Sequence, residues 1–176
     1  MMRRSLPFVL LLIASAASAA EPLRLGADLG MLLHEEASGV RSPLPNLDLR
    51  VEQDLSKLLR VSLDYGFSFQ DSGSALHAFS QYHRLRLRPE LALPVGTHAL
   101  ILGAGPAVAL TYSTFSDQGK FVLNTSHLSP GASALAALDV RLPSTTLRAG
   151  FELLWIPTRV DLLIGVGASF NVGPHG

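Results

Sequence analysis

The chain has 176 residues, equal numbers of basic and acidic side chains and no cysteine. That length suits one domain, the absence of cysteine excludes a disulfide-stapled fold, and the neutral balance excludes the basic footprint of a nucleic-acid binder. Nearly half of the residues are hydrophobic, 48 %, yet after the first twenty no run of about 18 apolar residues occurs, so no membrane helix is expected.

Residues 1–20 read as a secretory signal peptide. MMRR is a positive start, LPFVLLLIASAA an apolar stretch too short to span a bilayer, and SAASAA the small residues a signal peptidase needs, with cleavage near Ala19 or Ala20. No cysteine follows, which argues against a lipoprotein. Loss of Arg3 and Arg4 leaves twelve basic against fourteen acidic side chains. Residues 21–176 are then one exported domain.

From there the sequence alternates. Residues 23–33 set Leu23, Leu25, Ala27, Leu29 and Met31 against Arg24, Gly26, Asp28 and Gly30. Residues 47–55 set Leu47, Leu49, Val51 and Leu55 against Asp48, Arg50, Glu52 and Asp54. Residues 59–70, LRVSLDYGFSFQ, alternate without a slip: Leu59, Val61, Leu63, Tyr65, Phe67 and Phe69 oppose Arg60, Ser62, Asp64, Gly66, Ser68 and Gln70. Further strands are expected at 79–95, 99–112, 122–142, 147–155 and 162–172. A period of two is the signature of a strand with two chemically different faces. Each of the eight reaches about the 9–11 residues that cross a bilayer as a tilted strand. Pro89, Pro106 and Pro130 fall inside strands and predict bulges or local breaks, because proline lacks the ladder N–H.

The connections alternate too. Residues 34–46, 71–78 and 113–121 are expected as longer polar loops, with 156–161 a short fourth. Residues 56–58, 96–98 and 143–146 are tight turns. Long loops at one end and short turns at the other is the pattern of outer-membrane barrels.

The polar faces carry arginines 24, 50, 60, 84, 86, 88, 141 and 148, balanced by Asp28, Asp48, Glu52, Asp54, Asp64, Glu90, Asp139 and Glu152. The apolar faces carry no charge. Both lysines, Lys57 and Lys120, lie in turns or loops. A solvated face uses lysine freely, whereas an enclosed network favours the planar fork of arginine. One-to-one balance suits a closed lumen, where an unpaired charge is costly. Phe67, Phe69, Phe79, Tyr112 and Trp155 gather on the apolar face toward the long loops, as an aromatic girdle would. The expected fold is therefore an all-β, eight-stranded antiparallel up-and-down transmembrane barrel with its polar face inside.

In this patterning, and in the last strand (Gly167 followed by alternating apolar positions and Phe170), the chain resembles the small outer-membrane barrels of the OmpA transmembrane-domain and OmpX kind. The resemblance implies the outer membrane of a Gram-negative envelope, with membrane lipid or lipopolysaccharide and the barrel assembly machinery as partners, and no nucleic acid. Eight strands leave an interior that side chains fill, so a general diffusion pore is not expected. A non-enzymatic role in envelope structure or surface contact follows, with loops 35–45 and 113–121 as the expected contact regions.

Two other readings have residues behind them. His127 and Ser129 share a strand face, placing a base beside a nucleophile. This is similar to lipid A deacylase barrels, although Pro130-Gly-Ala follows and Arg141 stands where that family has its acid. An inverted, soluble barrel like the lipocalins would put the leucines inside around an apolar ligand. The six histidines have no metal-ligand spacing, and His34-Glu35-Glu36 reads as a solvated acidic loop. The row Arg84, Arg86, Arg88 is expected to pair with neighbouring carboxylates. Gly103/Gly105 and Gly165/Gly167 lie within strands, not before helices, so they are no nucleotide loop. No cofactor, metal or catalytic site is expected.

Overall fold

The structure is a computed structural model, and it describes residues 23–35, 41–71, 76–117, 119–157 and 159–172. The expected signal peptide and the residues after Val172 lie outside the described residues. Eight strands follow in chain order: β1 (Leu23–Glu35), β2 (Arg41–Asp54), β3 (Leu59–Asp71), β4 (Leu76–Val95), β5 (His98–Asp117), β6 (Lys120–Arg141), β7 (Thr145–Ile156) and β8 (Arg159–Val172). Each pairs antiparallel with the next, and β8 returns to β1 from Leu23↔Val172 to Leu33↔Leu162. The sheet closes on itself as a barrel, with every strand paired on both sides through its lower part.

Alternation sets the two faces. On β3, Arg60, Ser62, Asp64 and Ser68 are buried while Leu63, Tyr65 and Phe69 are exposed. Leu29 is 66 % and Val166 63 % exposed, against 0 % for Arg60 and Asp139. The faces are thus those of a membrane barrel and the opposite of a lipocalin.

The short turns form as expected. Ser56 accepts the Leu59 N–H on its Oγ at 3.0 Å, and Leu55 N donates to Leu59 O at 2.8 Å. Gly96 turns β4 into β5 at φ 62°, a region that favours glycine. At the other end the expected loops are shorter than the sequence suggested. Ser113–Asp117 and Lys120–Phe121 are strand, joined through Gly119 at φ 79°. His34 and Glu35 extend β1, and residues 41–46 extend β2, with Pro43 and Pro45 opposite Leu33 and Met31. The β2–β3 ladder begins only at Asn46↔Ser68. Among the described residues no β3 partner pairs with Pro43 or Pro45 above it, so their missing N–H breaks no ladder bond on that side.

The interior prolines behave differently from one another. Between β4 and β5 the pairing stops after Arg86↔Ala107 and resumes at Glu90↔Gly103 in the same register. Pro89 and Pro106 sit in that gap. Pro130 causes no break: it faces Val108 on β5, and β7 begins to pair only at Ala132. The one register shift between β5 and β6 lies at Phe115/Ser116, where no proline stands.

Candidate functional site: a layered lumen

The ionic network fills the middle of the lumen. Arg148 is its hub, with Nη2 2.8 Å from Glu52 Oε1, Nε 2.7 Å from Asp139 Oδ1, and Nη2 3.6 Å from Glu90 Oε2. Arg60 holds the other Asp139 oxygen at 2.8 Å and Asp54 at 2.8 Å. Arg24 closes the lower rim on Asp54 at 2.6 Å. Across the barrel, Arg88 joins Glu152 and Asp64, both at 2.8 Å, and Arg86 joins Glu152 at 2.9 Å and Asp48 at 2.5 Å. Arg50 pairs with Asp28 and lies 3.0 Å from Glu52. Ser62 Oγ donates to Glu90 Oε1 at 2.7 Å. Arg60, Arg86, Arg88 and Arg148 each reach carboxylates on at least two other strands, so the network ties the walls of the barrel together.

Small residues make room for this. A Cβ on Gly66 would strike Asp48 and crowd Arg84, and one on Gly167 would strike Asp28. A cavity of about 40 Å³ remains beside Asp28, Asp64, Arg88 and Glu152. Charged side chains line it together with Leu135, Phe151 and Leu163, and it is large enough for a few water molecules.

Two expectations about individual arginines are corrected. Arg141 keeps the inward parity of β6 but clears the short-turn rim beside the β6–β7 turn, and it is exposed. Arg84 is buried, and among the described contacts it meets no carboxylate. It donates to Asn46 Oδ1 and, at 3.0 Å, to Ser68 Oγ. Arg86 and Arg88 do pair with carboxylates.

The polar faces line the interior, but not all of it is polar. Leu32, Leu44, Tyr82, Leu154, Ile156 and Leu163, with Ala107 and Ala109, form an apolar layer above the network on the loop side. Ala92, Ala99, Ile101 and Ala137, with Leu135, form a second near the short turns. The signal was present as adjacent leucines. Leu32-Leu33, Leu153-Leu154 and Leu162-Leu163 break the alternation, so each pair puts one leucine on each face.

Above the upper apolar layer lies a cluster that the sequence reading did not assemble. His34 Nδ1 is 3.2 Å from Asp161 Oδ1, Arg159 Nε is 3.2 Å from Asp161, and the His34 ring meets Tyr82 tilted, with centroids 4.5 Å apart. His34 therefore belongs to the lumen wall and not to a solvated loop. Asp161 ends the stretch 156–161, whose composition matches a connection and masks its inward parity.

On the outer face, Phe67, Phe69 and Phe79 form a chain of rings, 6.2 and 6.4 Å between centroids. Phe69, Tyr112 and Trp155 are exposed toward the loop ends of their strands. The Tyr65 hydroxyl and His83 Nδ1 are hydrogen-bonded at 2.6 Å on the same face. His127 is exposed and Ser129 buried. Among the described residues no carboxylate contacts His127. No group of three or more metal-ligating side chains occurs among them either.

No family model matches the sequence, and no curated protein is similar to it. Solved structures are. Neisserial surface protein A matches with a TM-score of 0.68 at 15 % identity, over 87 % of this chain and 99 % of that one. A major outer membrane protein of Thermus thermophilus matches at 0.65 and 13 %, over 88 % and 100 %. Ail, the attachment invasion locus protein of Yersinia pestis, matches at 0.62 and 12 %, over 86 % and 97 %. At such identities the likeness is one of fold: this chain has the fold of the small eight-stranded outer-membrane β-barrels.

Proposed function

We propose that this protein is an integral outer-membrane barrel of a Gram-negative envelope, closed to solutes, that acts through its structure and its surface and not as an enzyme. The observation that carries this is the layered interior: a paired ionic network between two apolar layers, inside a wall whose outer face is leucine, valine and aromatic. The cell exports the chain by its signal peptide, the barrel assembly machinery inserts it, and lipid or lipopolysaccharide surrounds it. Its contacts with other surfaces are made by the segments that rise beyond the membrane. The name of one structural neighbour, an attachment protein, fits the same kind of role.

Proteoliposomes test the closed lumen. Vesicles containing the folded protein should swell in an isosmotic small sugar no faster than protein-free vesicles. Swelling at the rate of a porin of equal amount would refute the closed barrel, and release of fatty acid from lipid A in the same vesicles would refute the non-enzymatic part.

A further inference from the structure

One side of β6 has no neighbour over much of its length. β7 accompanies β6 only from Ala132↔Trp155 to Arg141↔Thr146, while β5 accompanies it up to Asp117↔Lys120. Among the described residues nothing pairs with the β7 side of residues 120–129, whereas beside Gly131 the β7 backbone at Trp155 is already in place. At about 3.3 Å per residue this free edge is roughly 33 Å long. All of residues 120–128 are exposed, including Phe121 at 65 % and Leu128 at 64 %. The tall β4–β5–β6 sheet therefore stands beside a short β7–β8 hairpin and shows its flank.

Free edges are normally blunted by charge or proline. Between Lys120 and Pro130 the sequence FVLNTSHLS contains neither. Its outward N–H and C=O groups match the backbone of another extended chain in register. The segment also matches itself when antiparallel. With Thr125 opposite the second copy's Thr125, Val122 falls opposite Leu128, Asn124 opposite Ser126, Leu123 opposite His127 and Phe121 opposite Ser129. Apolar meets apolar at Val122/Leu128, amide meets hydroxyl at Asn124/Ser126, and no like charges meet.

Membrane topology says where that second copy sits. Two barrels in one membrane point β6 the same way, so they cannot pair antiparallel. A copy in a facing membrane points the other way. We propose that the β6 edge, residues 121–129, is a self-pairing surface that joins this protein to a second copy in an apposed outer membrane. The pairing makes one continuous sheet across the gap and so holds two surfaces together. It rests on the outer-membrane reading above.

The chain has no cysteine, so Thr125→Cys places a lone thiol at the symmetry axis. Directly opposed residues have Cβ atoms about 4.5–5.5 Å apart, close to disulfide reach. The probe is the full mature protein, loops outward, in two populations of phosphatidylcholine vesicles mixed under a mild oxidant. Thr125→Cys should give a covalent dimer that links the two populations, and Thr114→Cys on β5 should not. Val122→Lys should reduce vesicle clustering about tenfold. Mixing Val122→Lys vesicles with Leu128→Glu vesicles should restore it, because those positions face each other. Absence of the Thr125 cross-link, cross-linking only between copies in one vesicle, or clustering indifferent to Val122→Lys overturns the pairing. The heat-dependent gel mobility of each protein reports the barrel separately. A wild-type protein that fails that control refutes the outer-membrane reading, and the pairing with it.

Discussion

Arg148→Ala is expected to destabilise the barrel by about 3–5 kcal/mol, the range for breaking a buried ion pair from one side. Arg148 meets Glu52, Asp139 and Glu90, and all three carboxylates are at most 1 % exposed. Truncation leaves them without their shared cation inside a lumen that has little water. Arg60 still reaches Asp139 and Glu52, which keeps the loss within that range. Arg148→Lys retains the charge but loses the fork that holds two carboxylates at once, so it should fall between wild type and alanine. The measurement is the urea midpoint for unfolding from lipid vesicles. An alanine variant that unfolds at the wild-type midpoint would mean that the network contributes nothing to the barrel.

The second large effect is on the other face. Leu29 lies mid-strand in β1, flanked by Leu47 on β2 and Val166 on β8, and it is the most exposed of the three. Leu29→Arg should cost about 2–4 kcal/mol in a bilayer, the range for an arginine on the lipid face of a barrel near the midplane. On a protein whose outer face meets water, the same change would be nearly neutral. The sign and size of this effect in vesicles thus separate a lipid-facing wall from a wet one. Arginine at Leu29 that folds into vesicles with wild-type stability would put that face in water.

Much of this was legible because a barrel repeats one rule eight times. The alternation of LRVSLDYGFSFQ fixed the faces of β3, and register follows once faces and turns are known. Arg60, Arg86, Arg88 and Arg148 are charges at positions of inward parity, which residue type and alternation alone make visible. What parity could not supply was height. Arg141 has the inward parity but stands at the rim, whereas Asp161 has it inside the barrel, in a stretch whose composition matches a connection. Height depends on how the paired strands are staggered, which only long-range pairing reveals. The loops at 113–121 and 34–46 were judged by polarity, and polar strands standing above a membrane are polar for the same reason that loops are. The inward leucines were visible as doublets, but a doublet in an alternating strand reads first as a slip and only in the closed barrel as a layer. Arg84 was expected to find a carboxylate because its row mates do. Its neighbours are Asn46 and Ser68, a partnership set by three strands at once.

The most direct test of the inside-out barrel is the gel mobility of the mature protein, folded in detergent and loaded in SDS with and without boiling, alongside fractionation of the cells that make it. The unheated band should run ahead of the boiled one, and the protein should be recovered with outer membranes. A single band indifferent to heating, from a protein that stays monomeric in plain buffer, would contradict the lipid-facing wall.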